Sequence, residues 1–578
     1  MNGSPSPYAP HWPTGTPGGS LAERAALIAI AAVFCGALAV WLTGGLAGAV
    51  FGTGWPVVPV GEMGGVLVRL PSHFGNPRAA WPAPARTGLP GPGGFYLILA
   101  ALSAALICAG LMAVRAVGVV RDLAPGPARG GSGRGAAWAR RGELRGLLVR
   151  GPVAGRLTLG RIAGRLVAAE ARQSAIVIAP TQSLKTTGLA IPAILEWDGP
   201  VLAASVKTDL LRDTLARRQH LGAVTIYDPT QTTALPDAGW TPLSGCGTWQ
   251  GAQRTAAWLC AAAQPGRSSL SDADFWYSAA AKLLAPVLLA AAATKASMGE
   301  VVRWIDTQEQ DEVKDGLLMA GVEEALIAAE ASWRRDERQR SSIYTTTETV
   351  LQAYADPGVL ASAQHPELTP EQLLNGNANT AFLCAPAHEQ QRLRPLFATL
   401  IQQIIAAVYE RAARTGKPLD PPLLLVLDEA ANIAPLRDLD TLASTAAGQG
   451  IQLLTVFQDF AQIKERWGER AATILNNHRA KIIGSGIADP ATLDYAARVL
   501  GDEEIRQTSS TAGHEGHAST TESTAYRTLA PAHALRQARA GSGVLIYGNL
   551  PPARIQLRPW FTDRRLRALS GQTPERSR

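Results

Sequence analysis

A lysine followed by hydroxyl residues, placed directly after a short apolar run, could hold the phosphates of a nucleotide. Residues 174–178 (SAIVI) are typical of a buried parallel strand, and an apolar helical stretch follows at residues 188–195. In such a strand–loop–helix, backbone N–H groups cradle phosphate, the lysine reaches the outer phosphates and the hydroxyl ligates Mg²⁺. The predicted nucleotide-binding loop consists of Ala179, Pro180, Thr181, Gln182, Ser183, Leu184, Lys185, Thr186 and Thr187.

This loop departs from the usual P-loop pattern, GxxxxGK[ST], at both glycines. Ala179 stands at the first glycine position and Leu184 at the second. Glycine before the lysine normally lets the backbone approach the phosphate. A leucine there either crowds a loop of the ordinary path or belongs to a loop of a different path. In the first case Leu184→Gly should tighten ATP binding, and in the second it should leave a void and lower activity.

Two acidic residues at the end of a second apolar strand support the same site. Leu423–Leu427 (LLLVL) is followed by Asp428 and Glu429, which has the form of a Walker B element. Asp428 would hold Mg²⁺ and Glu429 would polarise the attacking water, although a lone pair of this kind can also cap a helix. A third strand, Ile451–Phe457, ends at Gln458, and polar groups at such strand ends mark ligand sites in open α/β sheets. The predicted catalytic residues are Lys185, Glu429 and Gln458, and the predicted Mg²⁺ ligands are Thr186 and Asp428.

Further segments occur in an order that resembles a known family. They are residues 205–210 (SVKTDL), 240–243 (WTPL), 458–462 (QDFAQ), 467–468 (WG), 476–477 (NN), 489–501 and 548–552 (GNLPP). Together with the loop and the acidic pair, this order resembles the type IV secretion coupling proteins, the TraG/TraD-like conjugal transfer ATPases. The resemblance extends over nearly the whole chain.

The resemblance implies an α/β fold, in which a RecA-like P-loop NTPase domain carries an inserted all-alpha domain and follows two N-terminal transmembrane helices. It implies an ATPase that uses ATP and Mg²⁺ and assembles as a homo-hexamer. The partners implied are DNA bound largely without regard to sequence, relaxase or relaxosome proteins, and type IV secretion channel components. The family often carries an arginine shortly before the glutamine strand, but residues 445–449 (TAAGQ) contain none, so the arginine finger is unassigned.

Two apolar stretches predict membrane spans. Residues 25–50 and 95–114 carry no charge, and each is long enough for the roughly 20 apolar residues that cross a bilayer. Arginines are dense after the second stretch and sparse between the two, so the positive-inside rule places the bulk of the chain in the cytoplasm. We therefore expect a multi-pass protein of the cytoplasmic (inner) membrane. A signal peptide is disfavoured because residues 1–20 contain no basic residue.

These observations predict eight parts, one of which consists of two separate segments. They are a disordered N-terminus (1–20), a first transmembrane helix (21–52), an external loop (53–94), a second transmembrane helix (95–115), a basic linker (116–150), a RecA-like nucleotide-binding domain in two segments (151–265 and 376–563), an all-alpha insertion (266–375) and a basic, frayed tail (564–578). A Ser/Thr/Gly/His-rich stretch, residues 508–524, is expected to be a mobile loop, since its His514 and His517 lack nearby metal ligands.

Composition limits the remaining alternatives. The five cysteines form no CxxC pair, which excludes a zinc ribbon, and the net charge of +7 permits nucleic-acid contact without requiring it. An FtsK-like DNA translocase or a protein-secretion motor would usually add a winged helix or a second ATPase domain, and the stretch after Phe561 is too short for either. A weakly active or inactive membrane scaffold with a degenerate P-loop is the third possibility. It is disfavoured because the lysine, the threonine and both acidic residues are retained.

Overall fold

The computed structural model describes residues 21–123, 135–265, 273–512 and 518–571. It divides into two compact units, Met1–Gly126 and Pro127–Arg578. Several predicted features lie outside the described residues. They are the N-terminus (1–20), most of the Gly/Pro-rich stretch within the basic linker, the pair His514 and His517, and the last seven residues of the basic tail.

The first unit is built from helices joined by short turns. Its α-helices are α1 (Leu21–Phe51), α2 (Met63–Arg69), α3 (Ala83–Arg86) and α4 (Pro92–Leu123). A small core gathers around the fully buried Trp81, with Met63, Val66 and Phe95. A Cβ at Gly44 of α1 would lie 2.2 Å from the Trp81 ring, so this helix needs glycine where the tryptophan packs. Helices α1 and α4 cover the two stretches predicted to span the membrane.

A twelve-stranded sheet forms the centre of the second unit, within the part of the chain that the structure describes. The strands of this unit are β1 (Leu148–Val149), β2 (Thr158–Ile162), β3 (Arg165–Ala168), β4 (Ala175–Ile178), β5 (Val201–Ser205), β6 (Val224–Tyr227), β7 (Thr380–Cys384), β8 (Leu423–Leu427), β9 (Ile451–Phe457), β10 (Ala480–Gly484), β11 (Asp502–Ala512), β12 (Ala518–Thr528), β13 (Ser542–Tyr547) and β14 (Ala553–Gln556). Their order in the sheet is β1-β3-β2-β14-β13-β10-β4-β9-β8-β5-β7-β6, and the run from β10 to β6 is parallel.

Among its described residues the second unit has eighteen α-helices, which include those that cover the two faces of the parallel run. They are α5 (Ile191–Glu196), α6 (Asp209–Leu221), α7 (Trp249–Ala263), α8 (Ala273–Thr294), α9 (Met298–Asp306), α10 (Asp311–Ala320), α11 (Glu323–Trp333), α12 (Glu337–Leu351), α13 (Pro357–Ser362), α14 (Pro370–Leu373), α15 (Gln390–Thr415), α16 (Ala430–Ile433), α17 (Leu439–Gln449), α18 (Phe460–Trp467), α19 (Arg470–Asn477), α20 (Pro490–Leu500), α21 (Ala532–Arg536) and α22 (Arg564–Ser570). Successive side chains of a strand point to opposite faces, so Ile176 and Ile178 belong to one core and Ala175 and Val177 to the other. Burial on both faces explains why these strands read as continuous apolar runs.

Helices α8 to α14 fall between β6 and β7, in the range predicted for the all-alpha insertion. They share one hydrophobic core with the sheet: Leu283 and Leu288 of α8 belong to the same cluster as Leu259 of α7, Phe397 of α15 and Leu427 of β8. The insertion therefore packs as part of the second unit rather than as a separate body.

Among the described residues, α8 is the helix long and apolar enough to cross a membrane by length and composition. Its apolar stretch is 61% buried inside the protein, which is typical of a core helix. Two apolar helical stretches of the first unit, Gly36–Phe51 and Pro92–Cys108, are shorter than that length among the described residues. The two N-terminal membrane spans therefore stay a prediction.

Two stretches differ from their sequence-based expectation. The described residues of the predicted loop 508–524 lie in β11 and β12, which pair as an antiparallel hairpin. Threonine is common in strands, so its abundance here was misread as a sign of a loop. The predicted frayed tail begins with α22, which is anchored by Leu566, buried against Ile191 and Leu195 of α5. An Asp563 N-cap starts this helix, because its carboxylate accepts from the backbone N–H of Arg565 and Leu566.

Candidate nucleotide-binding site

The predicted phosphate loop runs from the end of β4 into a π-helical turn, Thr186–Ala190, that continues as α5. Leu184 has φ +65°, the left-handed conformation that favours glycine. Its carbonyl accepts from the N–H of Gly188 at 2.7 Å, which closes the first turn of the helix. The loop therefore makes a left-handed turn at the position where a P-loop has glycine, although the residue there is leucine. Gln182 is also left-handed, with φ +63°.

Lys185 is buried and folds back across this loop. Its Nζ donates to the carbonyl oxygen of Ala179 at 2.8 Å. Burial lowers the pKa of the Lys185 ammonium, whereas the nearby carboxylates of Asp428 and Glu429 raise it. Ser183 holds the loop from inside, since its Oγ donates to the carbonyl of Pro180 at 2.7 Å. The lysine thus has a weak neutral acceptor that a phosphate oxygen could replace with a stronger, charge-assisted bond.

The strand order brings three of the predicted site segments to one edge of the sheet. Ile178 of β4 is paired with Phe457 of β9, and Leu427 of β8 with Thr455 of β9. The carboxyl ends of these parallel strands therefore lie side by side, as the sequence predicted. Ala204 of β5 is paired with Leu427 and adds a fourth strand end to the same edge.

Asp428 lies at the centre of a cluster of hydroxyl groups. Its carboxylate accepts from Thr186 Oγ1 at 3.0 Å and from Ser205 Oγ at 3.2 Å. Burial raises the pKa of Asp428 to about 6, and the bond from Thr186 lowers it. Mg²⁺ prefers one or two carboxylates, hydroxyls, waters and substrate phosphates to an all-protein cage. One carboxylate with two hydroxyl groups fits that preference. An all-protein metal site, with three or more His, Cys, Asp or Glu side chains, does not occur among the described residues.

Glu429 follows directly in the left-handed conformation, with φ +65°, and is buried. A short chain of hydrogen bonds, called the relay below, begins at its carboxylate. Asn432 Nδ2 donates to Glu429 Oε2 at 3.3 Å, and Gln462 Nε2 donates to Asn432 Oδ1 at 3.4 Å. Gln458 joins through its backbone, whose N–H donates to Gln462 Oε1 at 3.1 Å. The predicted pair Glu429 and Gln458 is therefore connected through two amides that lie between them.

From the sequence alone, some residues of this region were not assigned to the site. Ser205 was noted only within a family motif, yet its place at the end of an apolar strand was a usable signal. Gln462 was likewise noted only within a family motif (QDFAQ), and Asn432 carries no sequence signal, because the relay depends on how α16 and α18 pack. Arg394 of α15 donates through Nε to the Asn432 carbonyl at 3.3 Å. Helix α17, which precedes β9, contains no arginine.

The charged stretch around α11 and α12 makes local contacts. Arg334 forms an ion pair with Glu330 one turn earlier at 2.6 Å, and Arg340 donates to the carbonyl of Trp333. Such local pairing, with Arg334 largely exposed, is typical of a solvated helix face.

The chain matches the family described as T4SS-DNA_transf, "Type IV secretory system Conjugative DNA transfer", over residues 140–577. Conjugal transfer protein TraG of Agrobacterium fabrum (strain C58 / ATCC 33970) is 23% identical over 414 residues, which cover 69% of this chain and 62% of the relative. Protein VirD4 of Rhizobium radiobacter is 23% identical over 420 residues, which cover 69% of this chain and 59% of the relative. The chain thus spans about three fifths of the length of these curated relatives.

Two solved structures share the fold. The unbound bacterial conjugative coupling protein TrwBdeltaN70 has a TM-score of 0.58 at 16% identity, covering 74% of this chain and 95% of its own. The plasmid coupling protein TrwB in complex with ADP and Mg²⁺ has a TM-score of 0.56 at 18% identity, covering 74% and 96%. The predicted mixed α/β, RecA-like fold of the second unit is confirmed by this likeness.

Proposed function

The chain belongs to the type IV secretory system conjugative DNA transfer family, and from that premise we propose that it is a membrane-anchored ATPase that couples DNA to a type IV secretion channel. The observation that carries the proposal is the convergence of Lys185, Thr186 and Asp428 at one sheet edge. A structural role alone would not require a buried lysine beside a buried carboxylate and a left-handed loop before it.

ATP and Mg²⁺ are the proposed ligands of this edge. Residues 179–187 would bind the phosphates through backbone N–H groups and the Lys185 ammonium. Thr186 and Asp428 would hold Mg²⁺, with Ser205 as a further hydroxyl that orients the Asp428 carboxylate. When bound there, Mg²⁺ would supply positive charge that neutralises the charge developing on the phosphates. The relative that was solved with ADP and Mg²⁺ supports this choice of ligands.

Hydrolysis would depend on Glu429 and on the groups that hold it. The carboxylate is buried and accepts a hydrogen bond from Asn432, which limits its rotation and leaves one oxygen to orient a water molecule. Gln458 lies at the end of the neighbouring strand, and its backbone is tied to the same relay. Proton acceptance by a fixed carboxylate contributes about 10²- to 10⁴-fold to such reactions. This arrangement supports catalytic roles for Glu429, Lys185 and Gln458.

A homo-hexamer anchored in the cytoplasmic membrane is the proposed assembly. Several P-loop NTPases use an arginine finger supplied in cis or in trans, and α17 of this chain contains no arginine. An arginine from a neighbouring subunit would complete the site. Helices α1 and α4 would cross the membrane, with the second unit in the cytoplasm. A reporter fused after Pro84 should read as external and one after Arg150 as cytoplasmic.

DNA, relaxase proteins and the secretion channel are the proposed partners. DNA contacts of this kind are made mainly to phosphate and carry little sequence information, which suits a transporter of many sequences. An FtsK-like translocase or a protein-secretion motor would share the ATPase site, so the cargo distinguishes them. A catalytically silent scaffold would instead bind nucleotide without turnover.

A mating assay tests the proposal. Deleting the gene in its natural host should abolish transfer of a mobilisable plasmid. The wild-type chain should restore transfer, and Glu429→Gln, expressed to the same level, should not. Transfer that continues in the deletion strain would refute the coupling role. Restoration by Glu429→Gln would favour the silent scaffold instead.

A further inference from the structure

A cavity of about 940 Å³ opens beside the candidate phosphate loop. Leu184 of the loop forms part of its wall. The other walls come from the segments on either side of β13 and β14, including Arg539, Gly541, Phe561 and Arg565. Pockets that bind small molecules have volumes of about 300–1,000 Å³. The cavity is therefore large enough for part of a ligand whose phosphates lie on the loop.

The far wall of this cavity is fixed to the helix that follows the loop. The N–H of Arg558 donates to the carbonyl of Gly188 at 2.9 Å, and the N–H of Trp560 donates to that of Thr187 at 3.0 Å. The N–H of Leu557 donates to the carbonyl of Gly541 at 2.7 Å, which ties the two C-terminal segments together. The cavity and the loop are thus parts of one hydrogen-bonded structure.

Leu184 lies between this cavity and the candidate Mg²⁺ site. The cation cluster of Thr186 and Asp428 lies toward β9 and β8, on one side of β4. Gly541 precedes β13, which lies beyond β10 on the other side of β4. A Cβ at Gly541 would lie only 3.2 Å from Leu184 Cδ1, so the leucine side chain rests against the Gly541 backbone. The leucine is directed away from the cation side.

A nucleoside triphosphate likewise has two chemically different ends. Mg²⁺ binds its outer phosphates, and its base and ribose lie at the opposite end of the molecule. With the outer phosphates held near Thr186 and Asp428, the nucleoside end extends toward the cavity beyond Leu184. Apolar and aromatic surface is what a base needs for stacking. Leu184 is half-buried, and Phe561 is 45% exposed on the cavity wall.

The charged lining also suits this end of a nucleotide. Arg558 is engaged by Glu196 and Asp563, and Arg161 by Asp563. Across the described residues no ion pair is recorded for Arg539 or Arg565, so their guanidinium groups can stack on a base or contact the inner phosphate.

We propose that Leu184 is a nucleoside-contact residue, and that the cavity between the loop and residues 539–565 takes the base and ribose of the nucleotide. This inference rests on the proposed function, because it assumes that the loop binds a nucleotide. It gives the leucine at the glycine position a role of its own: the side chain supplies contact to the base at the place where glycine would supply only backbone freedom.

Comparing ATP with inorganic tripolyphosphate tests the inference on the full-length chain. Both ligands are titrated with Mg²⁺ into wild type, Leu184→Gly and Phe561→Ala. The expected result is that the affinity ratio of ATP to tripolyphosphate falls by about fivefold or more in each variant, since a lost apolar contact of this size is worth about 1 kcal/mol. Tripolyphosphate should bind Phe561→Ala as tightly as wild type and Leu184→Gly as tightly or more tightly.

Two controls keep the result interpretable. Phe275→Ala removes a similarly exposed phenyl ring from α8, far along the chain from the cavity, and should leave the ratio unchanged. Leu184→Met keeps an apolar side chain and should keep most of the ratio, which guards against a general defect of the loop. A ratio that stays unchanged in both test variants overturns the inference, as does equal tightening of both ligands in Leu184→Gly. A wild type that binds neither ligand refutes the proposed function itself.

Discussion

The hydroxyl of Thr186 donates to the carboxylate of Asp428 at 3.0 Å, although their strands, β4 and β8, are separated by β9 in the sheet. The two residues are 242 positions apart in the chain. Both residues are buried. The Asp428 carboxylate also accepts a hydrogen bond from Ser205, and burial raises its pKa to about 6. The pair therefore stores a buried charge that a bound cation would compensate.

Magnesium binding should weaken as the pH falls through about 6. Below that pH, Asp428 takes up a proton that the cation must displace, so Mg²⁺ affinity should fall by up to about tenfold per pH unit. Titration of Mg²⁺ at a saturating ATP concentration between pH 5 and 8 measures this. Asp428→Asn should abolish the dependence along with most of the binding. An Mg²⁺ affinity that is constant over this range would contradict the assignment of Asp428.

The same shift gives a signed effect on stability without ligand. The folded-state pKa of Asp428 is raised above its unfolded value, so its contribution is fully present below about pH 3.9 and is lost as the pH rises through about 6. Adding Mg²⁺ with nucleotide should therefore raise the Tm more at pH 7.5 than at pH 5. Thermal scans at the two pH values check this, and Asp428→Asn is the control in which the difference should disappear.

Glu429→Gln should bind ATP with unchanged affinity and lose turnover by about 10²- to 10⁴-fold, because the amide cannot accept the proton of the attacking water. The measurement is steady-state phosphate release beside equilibrium ATP binding. Glu371→Gln, an exposed change in α14, should behave as wild type in both. Wild-type turnover in Glu429→Gln would remove this residue from the mechanism.

Lys185→Ala should weaken ATP binding by about tenfold or more, because a charge-assisted bond to phosphate is lost. Lys314→Ala, on an exposed face of α10, is the matched control and should bind ATP normally. Isothermal titration of the three proteins compares them directly. Equal dissociation constants for Lys185→Ala and wild type would show that this loop is not the phosphate site.

Breaking the buried ion pair in the cavity wall should cost more free energy of unfolding than breaking an exposed pair. Arg558 and Glu196 are 4% and 3% exposed, and their side chains meet at 2.9 Å. Removing one partner leaves an uncompensated buried charge, so Arg558→Ala should lower the free energy of unfolding by about 3–5 kcal/mol. Arg254→Ala breaks an exposed pair with Glu410 and should cost less than about 1 kcal/mol. Denaturant unfolding of both variants tests the contrast, and similar losses would contradict it.

The candidate nucleotide site could be predicted because its signals are local. Each signal is an apolar strand followed directly by Lys-Thr, Asp-Glu or Gln, and it can be recognised from a few consecutive residues. The left-handed Leu184 was harder to foresee, since a leucine there suggested a different path as readily as a strained one. The relay through Asn432 and Gln462 could not be predicted, because it depends on how two short helices pack. The hairpin of β11 and β12 was missed because its serines and threonines were weighed as loop formers.

The shared core of the insertion limits how the protein could be rebuilt. Helix α8 packs against α7, and α7 packs against α15, which contributes to the same core; both α7 and α15 lie outside residues 266–375. A chimera that exchanged only those residues with a relative would cut through this core and pair foreign helices with native ones. A graft that carries Trp249–Thr415 as one piece would bring α7, α8 and α15 together. Its foreign edges would then include the contacts of β7 with β5 and β6, those of α15 with α16, and the hydrogen bonds of Gln403 with Trp240 and Pro242.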